Sequence, residues 1–189
     1  MNIDVSTKAM LFVQNDAKGQ VLTCAEGLSF WGGVDPSTGT IIDVHHPNHG
    51  EILTGKIVLM PTSRGSCSGS GVLLQLARIG LAPAALVFRE EEDILTLGAI
   101  IAAKLFEKPV AILRLPEFTY DALSKAKVAE IYNDNLSFLD QSILLLKPNT
   151  QNLQLVASDL NIIKGHDGQA RKLAIEVICL MASVQGATE

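Results

Sequence analysis

The amino-acid sequence predicts an α/β domain, and three observations support that class. Between Lys56 and Leu113, short continuous apolar runs alternate with segments of helical period, which is typical of crossover units on a mostly parallel sheet. The chain has 189 residues, 48% of them hydrophobic, so a single domain of this size can bury a substantial core. Only 19% of the residues are charged, which argues against a disordered chain.

The predicted elements follow these runs in chain order. Residues 10–60 are expected to form strands and turns, because their apolar or alternating runs are bounded by Asn, Asp and Gly. Residues 30–39 are dense in turn formers, since a proline presets φ and the glycine after it accepts positive φ. The predicted strands are Met10–Val13, Gly19–Cys24, Thr40–Val44, Lys56–Met60, Ala84–Phe88 and Pro109–Leu113, and the predicted helices are Val72–Arg78 and Ile94–Phe106.

The last third of the sequence carries weaker signals. No clear period is visible after Pro116, and we interpret the polar stretch Asn133–Asn135 as a boundary. Beyond it, two apolar runs are of strand length, a short helix is expected from about Asp159 to Gly165, and apolar residues at helical spacing predict a final helix. The two runs are Ile143–Leu146 and Leu153–Val156, and the final helix extends from Gln169 to about Gln185.

Composition and charge exclude several classes of function. Fifteen basic against twenty acidic residues give a net charge of −5, so a nucleic-acid binder that neutralises phosphates is not expected. The apolar stretch Ile94–Phe106 is too short to span a bilayer, and the N-terminus lacks the features of a secretory signal. Cys24, Cys67 and Cys179 form no zinc spacing and no disulfide framework, which favours a cytoplasmic protein. Cys24 and Cys179 lie in apolar surroundings and are predicted to be small buried hydrophobes.

Two motif-like segments are better explained without a ligand. Gly50–Ile57 fits the glycine and lysine spacing of a phosphate-binding loop, but Ile57 stands where magnesium binding needs Ser or Thr. His45, His46 and His49 are clustered residues of metal-ligand type. A hydrogen-bonded loop is favoured over a metal site, because no cysteine completes a ligand set at short range. No metal ligand is therefore predicted in this chain.

The strongest local signal is the segment Met60–Gly71, between a predicted strand and a predicted helix. Free backbone N–H groups and the positive end of the helix meet there, which favours an anion. Arg64 adds a planar cation suited to a carboxylate or phosphate, and both features would stabilise a deprotonated Ser66. Two interpretations stay open: an anion site that includes Ser66, or a serine that merely caps the helix. A reactive thiol at Cys67 is less favoured, because no histidine partner is evident.

Several segments around this position form a combination of motifs, namely Ser29–Gly39, His46–Gly50, Gly55–Leu59, Arg64–Ser66, Gly80–Val87 and Gly98–Ile100. This combination resembles the small swivelling domain of aconitase X over roughly residues 10–115. The resemblance implies a β/β/α swivelling domain of the aconitase and isopropylmalate isomerase small-domain type, followed by a short C-terminal helical segment.

The resemblance also implies how the chain is organised. Gly168–Ala170 and Ala174–Val177 resemble the opening helices of the family's large domain. We therefore expect a swivelling domain over residues 1–145 and a truncated start of the large catalytic domain over residues 146–189. The chain would then be one piece of a larger enzyme, whose large domain is its partner in the same polypeptide or as a separate subunit. An iron–sulfur cluster or iron is expected to be held by that large domain and not by this chain.

Members of this family are dehydratases that act on small hydroxy-carboxylates. The fusion order favours cis-3-hydroxy-L-proline as the substrate, and the small subunit of phosphomevalonate dehydratase is the alternative. A non-catalytic regulatory domain that binds a small anion is an alternative of a different class. The site residues implied by the resemblance are Ser66 as the proton-abstracting base, Arg64, Gly65 and Ser68 as substrate-binding residues, and Trp31 and His46 as residues that line the cleft between the domains.

Overall fold

The structure is a computed structural model that describes residues 8–148. Strands and helices alternate through most of this range, and the first helical segment is a single turn. The strands are β1 (Met10–Val13), β2 (Ala17–Thr23), β3 (Leu28–Ser29), β4 (Ile57–Met60), β5 (Ser63–Arg64), β6 (Ala85–Phe88), β7 (Ala111–Arg114), β8 (Val128–Tyr132), β9 (Asn135–Phe138) and β10 (Gln141–Leu144). The helices are α1 (Phe30–Gly33), α2 (Ser68–Ile79), α3 (Ile94–Phe106) and α4 (Glu117–Ser124).

Eight strands form one mixed sheet in the order β1-β7-β6-β4-β2-β8-β9-β10. The four central strands β7, β6, β4 and β2 are parallel, because α2 and α3 carry the chain back between β4, β6 and β7. The outer strands β1 and β8 to β10 pair antiparallel with their neighbours. The predicted α/β class is confirmed, and the predicted parallel pairing holds for the centre of the sheet but not for its edges.

The sheet curls until its two edges meet. Leu146, two residues after the end of β10, forms a parallel bridge with Met10 of β1. The N–H of Leu11 donates to the carbonyl oxygen of Leu146, and the N–H of Leu146 donates to that of Ala9, both at 2.9 Å. These bonds satisfy backbone groups that an open edge strand would leave unpaired. The result is a nearly closed sheet with an interior of its own.

The central strands are buried on both faces, which explains why their sequences are continuous apolar runs. Successive side chains of β4 point to opposite faces of the sheet. Val58 and Met60 face the side covered by α2 and α3, whereas Ile57 and Leu59 face the interior of the curled sheet, together with Leu123 of α4. All of these side chains are fully buried, and each such burial contributes about 1.5–3 kcal/mol.

Most of the elements predicted up to residue 113 are confirmed, and α3 has the predicted bounds. The predicted turn at Asp35 is also present, with Asp35 Oδ1 accepting the N–H of Ser37 at 2.8 Å. The predicted strand Thr40–Val44 is wrong. Its residues form only isolated bridges, because the N–H of Ile41 bonds the carbonyl oxygen of Glu51 while the next N–H bonds that of residue 33. The backbone N–H groups of this segment therefore donate to two different loops and not to one neighbouring strand.

The interpretation of Asn133–Asn135 as a boundary is wrong, because β8 and β9 on either side of it pair in one sheet. Asn133, with φ of 52°, and Asp134 form a two-residue hairpin turn. The helix α4 and the meander β8–β10 occupy the stretch after Pro116 where the sequence shows no clear period. The predicted strand Leu153–Val156, all the helices predicted after it and Cys179 lie outside the described residues.

The helices α2 and α3 approach each other closely at Gly98. A Cβ atom at this position would lie 2.7 Å from the carbonyl oxygen of Ser70, a distance that no side chain can occupy without moving one helix. The close contact lets α2 and α3 pack together against the sheet.

The helix α3 spans thirteen residues. Nowhere in residues 8–148 is a helix long and apolar enough to cross a membrane.

We expect Gly98→Ala to destabilise the domain by about 1–3 kcal/mol, because the added methyl group must push the two helices apart. The matched control is Gly71→Ala in α2, where a Cβ would meet no atom within 4 Å. There alanine should stabilise the helix by up to about 1 kcal/mol. Urea unfolding of the 189-residue chain measures both changes. Unchanged stability of Gly98→Ala would contradict the close helix contact.

Candidate functional site

The segment with the strongest sequence signal lies at the carboxyl ends of the parallel strands, an edge where α/β sheets commonly bind ligands. After Met60 the chain forms β5, passes residues 65–67 and enters α2 at Ser68. The short strand β5 pairs in parallel with β3, which places Ser29 beside Arg64. We call residues 64–68 the serine loop.

Ser66 is exposed and lies two residues before the first residue of α2. The N-cap position belongs to Cys67, which makes no side-chain capping hydrogen bond. Ser66 Oγ accepts the N–H of Ser68 at 3.4 Å, which is longer than the usual range of about 2.7–3.2 Å. The predicted position next to the N-cap is confirmed, and the capping contribution of the hydroxyl is weak. The Ser66 hydroxyl is thus exposed beside the start of a twelve-residue helix, whose positive end favours a negative charge.

Arg64 forms an ion pair that the sequence does not predict. Its Nη2 atom lies 3.1 Å from Oε2 of Glu26, and the two side chains are 60% and 50% exposed. The guanidinium therefore bonds Glu26 and not the hydroxyl of Ser66 in this structure. Exposed ion pairs of this kind contribute at most about 1 kcal/mol. The Arg64–Glu26 pair therefore adds little to the stability of the fold.

Gly65 permits the sharp turn of the serine loop. Its φ of 98° lies in the region that favours glycine, and a Cβ there would lie 2.7 Å from Oγ of Ser29. The Ser29 hydroxyl donates to the carbonyl oxygen of Trp31 at 2.9 Å. The serine loop is thus in contact with the segment that carries Trp31.

Glu92 is a second carboxylate that the sequence does not single out. It is buried, and its Oε1 atom accepts the Ser63 hydroxyl at 2.7 Å. The same Oε1 atom accepts the backbone N–H of Leu95 at 2.7 Å, and Oε2 accepts the backbone N–H of Thr96 at 2.9 Å. An acidic residue just before a helix predicts a cap, but nothing in the local pattern connects it with Ser63.

Trp31 and His46, both predicted to line the cleft between domains, differ in exposure. Trp31 is 64% exposed and is placed near the serine loop by its contact with Ser29. His46 is buried, with Nδ1 accepting the N–H of Asn48 at 3.1 Å and Nε2 lying 3.5 Å from the carbonyl oxygen of Glu26. The favoured interpretation of the histidine segment as a hydrogen-bonded loop is confirmed for His46.

The ligands of an iron–sulfur cluster or an iron ion are drawn from Cys, His, Asp and Glu side chains. Between residues 8 and 148, no three His, Cys, Asp or Glu side chains are grouped so that they could hold a metal. Cys24 is buried, as predicted, and its burial, together with the nearby charge of Glu51, raises the pKa of the thiol to about 12. Cluster ligands are thiolates, so Cys24 does not fit that role. Cys67 is exposed, and the other cysteine of the described residues is the buried Cys24.

The fold and the site define a class of protein: a small α/β domain that presents a serine hydroxyl and a guanidinium beside a helix start. The model of one family, the aconitase X swivel domain, matches residues 6–138 of the sequence. The chain belongs to the aconitase X swivel-domain family.

Curated relatives of two kinds are similar to this chain. A cis-3-hydroxy-L-proline dehydratase of Hypocrea jecorina is 35% identical over 191 residues, covering 95% of this chain and 32% of the relative. One of Pseudomonas aeruginosa is 40% identical over 182 residues, covering 93% and 31%. The phosphomevalonate dehydratase small subunit of Methanopyrus kandleri is 42% identical over 106 residues, covering 56% and 78%. The chain spans about a third of the length of the first two relatives.

Two solved structures share the fold. The crystal structure of Thermococcus kodakaraensis aconitase X in its holo-form superposes with a TM-score of 0.57 at 28% identity, covering 70% of this chain and 97% of that one. The solution structure of a UPF0107 protein gives a TM-score of 0.60 at 26% identity, covering 70% and 98%. The swivelling-domain fold implied by the sequence resemblance is confirmed.

We expect Gly65→Ala to destabilise the domain more than Gly50→Ala. Both glycines have left-handed φ, 98° and 85°, so the backbone cost is similar. Only at Gly65 would the Cβ meet an atom, Ser29 Oγ at 2.7 Å, whereas nothing lies within 4 Å at Gly50. The difference in unfolding free energy should be about 1 kcal/mol, the net worth of the displaced Ser29–Trp31 hydrogen bond.

A double-mutant cycle checks the source of this difference. Adding Ser29→Ala to Gly65→Ala should cost almost nothing more, because the displaced hydroxyl is already lost. Fully additive effects of the two changes would contradict the contact between Gly65 and Ser29.

Proposed function

We propose that this chain is the small-domain portion of an aconitase X-type hydro-lyase that dehydrates cis-3-hydroxy-L-proline. The observation that carries the proposal is the serine loop, where an exposed hydroxyl and an exposed guanidinium lie beside the start of α2. The substrate choice is supported by coverage, since the hydroxyproline dehydratases align with 95% and 93% of this chain. The phosphomevalonate dehydratase small subunit of Methanopyrus kandleri aligns with 56%.

In this proposal Ser66 is the general base that removes the proton α to the substrate carboxylate. A serine hydroxyl is a weak base until it loses its own proton, and the positive end of α2 stabilises the resulting alkoxide. The long contact with the N–H of Ser68 leaves the lone pairs of Oγ accessible from solvent. Because Ser66 is exposed, its own proton can pass to solvent water; the alkoxide then takes the α proton and becomes a hydroxyl again, while the substrate hydroxyl leaves as hydroxide.

Arg64 binds the substrate carboxylate through its forked guanidinium. Glu26 holds the guanidinium at the edge of the sheet when no substrate is bound, and the substrate then takes its place. Gly65 lets the backbone turn at this point, and Ser68 offers its hydroxyl at the first residue of the helix. Bound in this way, the substrate has its acidic C–H near Ser66.

We assign the iron–sulfur centre to the partner, a large aconitase X domain in the same polypeptide or in a separate subunit. Support comes from the donor chemistry, since residues 8–148 offer no metal-ligand cluster. A large partner is also implied by the relatives that are named as small subunits. Leu146 closes the sheet on β1, so we propose that the swivelling domain includes Leu146 and that the large domain begins after it, one residue beyond the limit between residues 145 and 146 expected from the sequence.

A second candidate is the small subunit of a phosphomevalonate dehydratase. The relative from Methanopyrus kandleri is 42% identical and is covered over 78% of its own length, which favours this candidate for the swivelling domain taken alone. Arg64 suits a phosphate as well as a carboxylate, so the serine loop does not discriminate between the two substrates.

Turnover by the complete enzyme tests the proposal. The full-length polypeptide, or this chain combined with its large domain, is assayed anaerobically with cis-3-hydroxy-L-proline and with phosphomevalonate. We expect dehydration of the hydroxyproline. Dehydration of phosphomevalonate alone would select the second candidate, and binding of either anion without turnover would show a regulatory domain.

We expect Ser66→Ala in the complete enzyme to lower kcat about 10²–10⁴-fold, the usual effect of losing a general base. Its Tm should change little, because within residues 8–148 the hydroxyl makes one hydrogen bond, and that bond is long. The control is Ser70→Ala in the same helical turn, which removes a 2.6 Å hydrogen bond to the Cys67 carbonyl oxygen but leaves Ser66 in place. If both variants keep normal kcat, the base lies elsewhere.

Arg64→Lys should lower kcat/KM about 10²-fold, because an ammonium group lacks the fork that binds a carboxylate at two points. The control is Arg78→Lys near the other end of α2, where the guanidinium lies 5.5 Å from the ring of Phe106. Steady-state kinetics of both variants decide the matter. Near-normal values for Arg64→Lys would mean that Arg64 is only a surface charge.

A further inference from the structure

Within residues 8–148, Glu92 is the one acidic residue that is buried, with 6% of its surface exposed. Its Oε1 atom accepts the Ser63 hydroxyl and the N–H of Leu95, both at 2.7 Å. Its Oε2 atom accepts the N–H of Thr96 at 2.9 Å and, at 3.0 Å, shares the Thr96 hydroxyl proton with the Glu92 carbonyl oxygen, which lies closer at 2.7 Å. A carboxylate is tolerated away from water only when donors surround it, so these four bonds define its position.

Three of the four donors belong to α3 and make Glu92 a cap of that helix. Its carboxylate bonds the first-turn N–H groups, where the positive end of the helix favours a negative charge. The fourth donor, Ser63, lies 29 positions away in the sequence. Capping alone gives no reason for this fourth contact, which connects α3 to a different part of the chain.

Ser63 is the first residue of β5 and the neighbour of Arg64. Because β5 and its partner β3 are each two residues long, their own pairing holds the strand weakly. Three further bonds tie the preceding residues to the segment after β6. The Pro61 carbonyl oxygen accepts the N–H groups of Arg89 and Glu90 at 3.2 and 2.9 Å, and the Thr62 hydroxyl donates to the Glu91 carbonyl oxygen at 2.9 Å. The Ser63–Glu92 bond is nearest to the serine loop.

The Ser63–Glu92 bond also differs from the other three in having a charged acceptor. Hydrogen bonds to an ionised group are shorter and about twice as strong as those between neutral groups. At 2.7 Å, the bond between Ser63 and Glu92 fits this description. It connects the strand that leads into the serine loop with the thirteen-residue helix α3, which is packed on the sheet.

We propose that Glu92 is a positioning residue: through Ser63 it fixes β5 and thereby the places of Arg64 and Ser66. The inference rests on the proposed function, in which those two residues act on the substrate. Glu92 acts through Ser63 and does not touch the substrate. The expected effect on rate is large, since a displacement of about 1 Å at reacting groups can cost about 10²-fold.

The first test is structural and does not depend on activity. Backbone amide spectra of the 189-residue chain are compared for Glu92→Gln and for Thr96→Val, which removes one donor on the α3 side but keeps the Ser63 bond. We expect the amides of residues 64–66 to shift in the Glu92 variant and to stay in place in the Thr96 variant. Unmoved amides in both variants would overturn the inference.

The second test measures kinetics in the complete enzyme. Ser63→Ala should lower kcat about tenfold or more, whereas Ser63→Thr, which keeps a hydroxyl, should restore it. Thr96→Val should lower Tm and leave kcat unchanged. Ser63→Ala removes one half-buried hydroxyl and tests the link even if Glu92→Gln does not fold.

The outcomes separate the inference from the proposed function. Normal kcat in Ser63→Ala, with Ser66→Ala inactive, would overturn the positioning role and leave the proposed function standing. Normal kcat in both variants would overturn the proposed function itself. A kcat loss that Ser63→Thr does not restore would also contradict the role of the hydroxyl.

Discussion

The rest of this domain depends on the burial of the central parallel strands on both faces. In β4 and β6 every side chain is buried, so neither face of these strands can be left to solvent. One face is covered by α2 and α3, and the other is enclosed when the sheet curls and meets itself at Leu146. Because the strands are parallel, the chain leaves all of them at the same edge. The site residues lie at this edge for that reason.

The charged groups at this edge are of two kinds. Arginines at or next to the ends of three strands each pair with a glutamate, and both side chains of the pair at Arg64 are at least half exposed. Such an exposed pair contributes little to the stability of the fold. Glu92 is of the other kind, since it is buried. Loss of any of its hydrogen-bond donors would leave a buried carboxylate oxygen unsatisfied and would lower the stability of the domain. The three pairs are Arg64–Glu26, Arg89–Glu90 and Arg114–Glu91.

This combination suits a site that lies on a loop. Loops move more readily than the elements they connect, and precise chemistry needs them to be supported by rigid structure. The serine loop has a helix on one side and a two-residue strand on the other. The helix is held by its packing on the sheet, and the strand is held by the backbone of β3 and by the buried carboxylate of Glu92.

The sequence by itself determined the central strands, α2, α3 and the position of Ser66 beside a helix start, because apolar periodicity and turn chemistry act over a few residues. The strand predicted at Thr40–Val44 was wrong, because the backbone there bonds two different loops. The boundary predicted at Asn133–Asn135 was wrong, because these polar residues belong to a hairpin between β8 and β9.

Only the tertiary structure decided the partners of the site: Glu26 for Arg64, Glu92 for Ser63 and the closure of the sheet at Leu146. These contacts join residues between 29 and 38 positions apart, or the two edges of the sheet. A hydrogen bond across such a separation leaves no periodic trace in the sequence, because its two groups are brought together only when the strands and helices pack.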